Sequence, residues 1–256
     1  MYDDKTLEGG MEPIDFMIAG GQKCGTTALS EFLKAHPEIE FSEPKEVHAF
    51  DQPDESAVED RYREAFVGER KSGVIRGEAT PIYLFLPGVA ARLRQYNPDL
   101  KVIILLRDPV ERAYSQYRME LARGDDHLPY WQALMAEPFR LARDRAPLDA
   151  DSATRHASYR TRGLYSGQLR AFREAFPAAQ LKVLRADRLR DRHQEVMDEL
   201  YDFLGLAPIK VPARSVFSQN SSVAEVPFSS WLLRLSYRRD LSALEHLVDF
   251  SVADWF

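Results

Sequence analysis

The 256-residue chain has a single cysteine, Cys24. No disulfide can close within it, and a structural zinc site built on several thiolates is excluded. Long apolar runs are missing too. No stretch approaches the ~18 apolar residues of a membrane-spanning helix. Met1 to Gly10 is polar and acidic, without the basic start and apolar run of a secretory leader. A cytoplasmic protein with no membrane partner is therefore expected. Cationic excess is absent: Lys and Arg total 34 against 40 Asp and Glu, for a net charge of −6. That balance argues against nucleic acid as a partner. The six histidines, His36, His48, His127, His156, His193 and His246, show no paired ligand spacing, so no metal is expected. Internal repeats and low-complexity linkers are likewise absent.

What is present is material for a core, with 45% hydrophobic residues, and the whole of 1–256 reads as one domain. Phe16 to Ala19 is a short apolar run ending in Gly20-Gly21, the pattern of a buried strand and a glycine turn. A helix is predicted over Thr26 to Ala35, with Leu29, Phe32 and Leu33 on one face and Pro37 as its stop. Glu38 to Pro53 reads as a charged loop and Val58 to Phe66 as a helix. A second strand is expected at Val74 to Glu78, and helix again from Gly88 to Tyr96. Val102 to Leu106 is wholly apolar, which suits a central parallel strand buried on both faces. After it, Asp108 is a good N-cap, Pro109 takes the first helical position and Glu111 completes a capping box.

Residues 122–162 are rich in arginine and proline with little periodicity; they read as a partly helical insertion on the acceptor side of the sheet. From Arg140 to Arg173 there are eight arginines, which read mainly as solvated surface. Tyr130, Trp131, Tyr159 and Tyr165 either line an acceptor pocket or pack. Helix is expected from Gly163 to Phe176, a fourth strand at Leu181 to Leu184, and helices at Gln194 to Leu204 and Asp240 to Val248. Strands alternating with helices give an α/β fold, a central parallel sheet of four to five strands flanked by helices.

Chemistry concentrates after the first strand, in Gly20-Gly21-Gln22-Lys23-Cys24-Gly25-Thr26-Thr27. Glycines let several backbone N–H groups converge on one anion, and the helix N-terminus adds partial positive charge. Gly20, Gly25 and Thr27 have the spacing of the nucleoside-triphosphatase loop, but Thr26 stands where that loop has lysine. The only lysine, Lys23, lies inside the loop, which suits a ligand with one 5′-phosphate carrying a transferable group. A second anion site is expected at the end of the third strand. There Arg107 supplies a fork and Ser115, two helical turns on, a hydroxyl. Pairing of Arg107 with Asp108 or Glu111 is the competing reading. Cys24 reads as a small residue in a crowded turn.

These residues resemble a known family. Asp15 to Leu29 is similar to the 5′-phosphosulfate loop of sulfotransferases, closest to the heparan sulfate sulfotransferases and their bacterial relatives. Lys45-Glu46-Val47-His48-Ala49-Phe50-Asp51 looks like their catalytic segment, and Glu78-Ala79-Thr80-Pro81-Ile82-Tyr83 like their second-strand motif. Leu105 to Pro109 with Ser115, Gly163-Leu164-Tyr165 and Asp187-Arg188-Leu189 follow the later pattern. The resemblance spans about residues 14 to 205. It implies the sulfotransferase fold, a donor of 3′-phosphoadenosine 5′-phosphosulfate (PAPS), its product adenosine 3′,5′-bisphosphate (PAP), and a glycan or small-molecule acceptor. It implies that Lys23, with Gly21, Gln22, Cys24, Gly25, Thr26 and Thr27, binds the 5′-phosphosulfate. Arg107 and Ser115 then hold the 3′-phosphate, Glu46 is the general base, and His48 helps position the acceptor. Lys45 reads as a solvated neighbour.

The chain departs from the pattern where Ala79 replaces a lysine. It also lacks the late lysine-glycine-arginine loop between Val211 and Phe228, for which Arg214 or Asn220 are the candidates. The alternative is a phosphoryl-transferring P-loop enzyme. It requires a lysine after Gly25 and an acidic strand end for magnesium.

Overall fold

A computed structural model describes residues 12–52, 57–213 and 229–256. Five strands form one sheet in the order β2-β3-β1-β4-β5: β1 Phe16–Gly20, β2 Ile39–Phe41, β3 Ile75–Glu78, β4 Lys101–Leu106 and β5 Leu181–Arg185. Every neighbouring pair is parallel, so all five carboxyl ends meet at one edge of the sheet. The helices are α1 Thr26–Leu33, α2 Val58–Ala65, α3 Val89–Tyr96, α4 Pro109–Arg123, α5 Tyr130–Arg143, α6 Ala153–His156, α7 Tyr165–Ala175, α8 Ala186–Asp191, α9 His193–Leu204 and α10 Ser229–Glu245. Among the described residues no helix is long and apolar enough to cross a membrane.

The apolar runs of β1 and β4 work as expected for strands covered on both faces. Successive residues alternate between two cores. Met17, Ala19, Val102 and Ile104 join one cluster with Leu93 of α3, Leu169 of α7 and Tyr237 of α10. Phe16, Ile18, Ile103 and Leu105 join the other with Leu29 of α1 and Leu200 of α9. Phe16 stands opposite Gly77 in the β1–β3 register. Its ring lies so close over that glycine that any Cβ there would overlap it. This contact pins β1 against β3.

β2 and α8 are not in the sequence reading, α10 is longer than expected, and α5 gives definite form to a region read as partly helical. β2 lies in the predicted charged loop; it is only three residues long and carries Glu40, whose carboxylate accepts from Arg76 Nε of β3 at 2.8 Å. Between residues 122 and 162 the chain forms a full helix, α5, despite Pro138 inside it. The last long helix, α10, starts at Ser229 and ends at Glu245, whereas helix was expected only from Asp240.

Candidate active site

The loop after β1 holds its shape largely with its own backbone. Gly21 N–H donates to the Leu105 carbonyl of β4 at 2.7 Å, and Cys24 N–H to the Gly21 carbonyl at 3.1 Å. A Cβ on Gly20 would overlap Leu84, so the backbone itself must pass there. Gly25 precedes α1 with φ 93°, and no side chain caps that helix. The first-turn N–H groups of α1 are thus left for an anion. Cys24 is buried, and burial pushes its thiol pKa up, which keeps it protonated.

Lys23 has φ 67°, a left-handed conformation that an L side chain rarely adopts. Its Nζ reaches Met119 Sδ at 3.5 Å. Burial lowers its pKa, and the charges of Arg123, Arg107 and Arg112 lower it further against the opposing pull of Glu120. Four cations therefore crowd one spot, which is the field an anionic ligand would relieve. Arg107, half-buried at the end of β4, forks onto Glu111 Oε2 at 3.0 and 2.8 Å. Ser115 is half-buried on α4. Asp108 caps α4 as predicted, accepting from Val110 N at 2.8 Å and Glu111 N at 3.2 Å. Its other oxygen accepts from Arg234 at 2.9 Å. Glu111 pairs with Arg107 in place of the expected capping-box contact.

Residues 45–51 form the second half of the site. Lys45 Nζ donates to Thr27 Oγ1 at 3.1 Å and sits 2.9 Å from Glu46 Oε1. Lys45 is thus no solvated neighbour, because it bridges the anion loop and the candidate base. Glu46 Oε2 lies 3.5 Å from His48 Nε2, and His48 Nδ1 lies 2.7 Å from Asp51 Oδ2. Burial raises the Glu46 carboxyl pKa, but the His48 hydrogen bond and the Lys45 charge outweigh it and hold Glu46 below its ordinary value. Burial lowers His48, yet its bonds to Asp51 and Glu46 carry it up to about 9. A charged imidazole is therefore clamped between two carboxylates at neutral pH. His48 has φ 55°; it and Lys23 are the only non-glycine residues with positive φ among those described. Left-handed backbone costs about 1–3 kcal/mol per residue and tends to collect at functional sites.

The backbone of this segment is held by side chains from elsewhere. Glu78, fully buried on β3, accepts from Val47 N at 3.1 Å, Tyr62 Oη at 2.6 Å and Thr80 Oγ1 at 2.8 Å. Burial pushes its carboxyl up to about 7 against the pull of those bonds. Phe50 N donates to Tyr83 Oη at 3.1 Å, and its carbonyl accepts from Arg92 at 2.7 Å. Ala79, where the resemblance expects lysine, is buried, and its N–H donates to the Lys45 carbonyl at 3.2 Å.

Four of the arginines read as solvated are tied inward: Arg140 to Asp126, Arg155 to Asp51, Arg160 to Ser236 and Arg162 to Gln22. Asp126 and Asp51 are buried and Ser236 and Gln22 half-buried, all partners that the sequence order hides. Of the four aromatics, Tyr130, Tyr159 and Tyr165 are buried and Trp131 is exposed. Tyr165 Oη donates to the Arg107 carbonyl at 2.9 Å, behind the anion loop. Glu120, Asp125 and His156 bring one ligand atom each within 4.8 Å of one another. His156 Nδ1 faces the two carboxylates at 3.1 and 3.5 Å while Nε2 contacts the Ala150 carbonyl at 2.7 Å, so both ring nitrogens are taken up within the protein. Arg214 and Asn220 lie outside the described residues.

Comparison with known proteins gives a consistent result. The family model described as "Sulfotransferase domain" matches residues 13–225. Heparan sulfate glucosamine 3-O-sulfotransferase 3A1 of Mus musculus is 30% identical over 212 residues, covering 83% of this chain and 51% of that protein. Bifunctional heparan sulfate N-deacetylase/N-sulfotransferase 2 of Homo sapiens is 29% identical, over 75% of this chain and 22% of its own length. The chain thus spans about half the length, or less, of these curated relatives. Among solved structures, a sulfotransferase from Alicyclobacillus acidocaldarius superposes with a TM-score of 0.80 at 29% identity, covering 96% of this chain and 99% of that one.

Proposed function

The chain belongs to the sulfotransferase domain family, and from that premise we propose that it moves a sulfuryl group from PAPS to a hydroxyl or amine of a glycan or small-molecule acceptor. The observation that carries this reading is the Lys45 bridge. It sets a cationic anion loop and an ionised, half-buried carboxylate within one hydrogen-bonded chain, Thr27 to Lys45 to Glu46. Donor anion and acceptor proton are the two things such a reaction must handle at adjacent points.

In this reading the uncapped start of α1 with Thr26, Thr27 and Lys23 holds the 5′-phosphosulfate, and Arg107 with Ser115 holds the 3′-phosphate. Glu46 accepts the proton of the acceptor as its oxygen or nitrogen forms the new bond to sulfur. The bond from sulfur to the bridging phosphate oxygen breaks, and PAP leaves with the electron pair, stabilised by Lys23. A general base of this kind contributes typically ~10²–10⁴-fold. Charge stabilisation by the surrounding cations supplies the rest, by analogy with phosphoryl transfer. Residues 122–162 lie on the acceptor side. A sugar acceptor is favoured by the kinship with enzymes named for heparan sulfate. Ala79 stands where the resemblance expects a lysine, which points to a less anionic glycan than heparan sulfate. No metal is assigned a step. Asp108, the carboxylate a magnesium-dependent phosphoryl transferase would need at this strand end, is engaged in capping α4 and pairing Arg234.

The test is thermal stabilisation by PAP beside ATP with magnesium. A ligand at ~100 times its dissociation constant adds ~2.7 kcal/mol to stability. Stabilisation by PAP alone is expected; stabilisation by ATP with magnesium alone would overturn the reading.

A further inference from the structure

The stretch that carries α6 reaches into both halves of the site. Arg155 Nη1 donates to Asp51 Oδ2 at 2.7 Å, and Nη2 to the Asp51 carbonyl at 2.8 Å. The same guanidinium is anchored on the Leu148 and Asp149 carbonyls. Arg162, seven residues on, donates to the Gln22 side chain of the anion loop and to the carbonyls of Thr154 and Arg155. A rigid strut thus links loop 20–27 to segment 45–51.

Asp51 is fully buried. Its Oδ2 takes both His48 Nδ1 and Arg155 Nη1, while Oδ1 has no donor among the described residues. Everything that orients this carboxylate therefore acts through one oxygen and two donors. Remove Arg155 and a buried, charged carboxylate keeps only the imidazole, with nothing to stop it rotating away. The groups facing His48 are Glu46 and Asp51 of its own segment and Glu78 of β3. Lys45 pairs with Glu46 and Arg155 with Asp51, and each also sets a positive charge beside the imidazole.

We propose that Arg155 is a positioning residue for the transfer reaction: by holding Asp51 it keeps His48 charged and seated against Glu46, and so sets the state in which Glu46 meets the acceptor. The role rests on the reading of Glu46 as the base. An arginine fits it better than a lysine, because its fork spans a carboxylate oxygen and a backbone carbonyl at once.

The experiment follows the His48 imidazole by NMR titration in the wild type, R155M and R155K, with the His48 signal assigned by its loss in H48Q. The wild-type midpoint is expected near 9. In R155M the loss of the neighbouring positive charge alone would raise it; with Asp51 turned away the loss of the carboxylate outweighs this, and the midpoint falls by about 1–3 pH units. R155K, with charge but no fork, lies between the two. PAP affinity stays unchanged in both, which separates positioning from general damage to the fold. Should R155M not fold, R155K decides. An unmoved midpoint in the folded variants, a raised one such as loss of the Arg155 charge alone would give, or a shift that appears only together with lost PAP binding, overturns the proposal. Consumption of PAPS with a desulfated heparan, less anionic than heparan sulfate, as the probe acceptor is expected to fall about 10²-fold in R155M, as for a base displaced by about 1 Å. A wild type that binds no PAP counts against the functional reading; the titration still decides Arg155.

Discussion

The anion loop at 20–27 and the base segment at 45–51 face each other across Lys45, yet they are held in opposite ways. The loop shapes itself with glycines and its own peptide groups, tied to β4 by one bond from Gly21 to Leu105. In the base segment, peptide groups from Val47 to Asp51 are bound by side chains of β3, α3, α6 and Tyr83. A phosphate needs several N–H groups in a tight curve, which only local backbone can supply. A base needs a tuned proton affinity, which only charges brought from elsewhere can supply. The chain answers each need with the matching construction.

Three substitutions sharpen this contrast. The largest effect is expected from Glu46→Gln, which removes the proton acceptor. Turnover should drop ~10²–10⁴-fold while PAP binding, read by calorimetry, is unchanged. Retained turnover would take Glu46 out of the chemistry.

Next is Glu78→Gln, which tests whether the base segment hangs on a titrating support. Glu78 titrates near 7 in the fold and near 4.5 as a free side chain. Between those values the folded protein keeps a proton that the unfolded chain has lost, so the Glu78 contribution to stability falls as pH rises through that window. Its size is on the order of 3 kcal/mol. Denaturant melts of wild type and variant from pH 4 to 8 should diverge across the window, the variant lacking that slope. Parallel curves would mean that burial does not raise the Glu78 carboxyl above its free value.

The smallest effect is expected from Lys23→Met, on the loop side. A hydrogen bond to a charged group is worth ~1.5–3 kcal/mol, so PAP affinity should weaken roughly 10–100-fold. The Glu78-linked pH dependence of stability should not change. If Lys23→Met altered that dependence instead, the two halves would not be built independently.

The same contrast explains what could be read from the chain. Gly20 to Thr27, the Asp108 cap and the apolar strands β1 and β4 are local patterns, and each stands where expected. Glu46 and His48 were reachable only through family likeness, since a glutamate in a charged loop carries no local sign of catalysis. Lys45 looked solvated because Thr27, which receives it, is 18 residues away in sequence. Asp51 and Arg155 are 104 residues apart, and no periodicity connects them. β2 escaped notice because three residues around Glu40 are too few to show alternation, and the extent of α5 within a stretch read as partly helical was blurred by its arginines and Pro138.

The contact of Phe16 with Gly77 has a consequence beyond packing. β1 leads directly into the anion loop, and the residue after Gly77 is Glu78, which carries the base segment. The gap between the loop at 20–27 and the segment that carries Glu46 is therefore gauged inside the sheet, by an aromatic ring resting on a residue with no side chain. The spacer between the two has no polar side chain of its own.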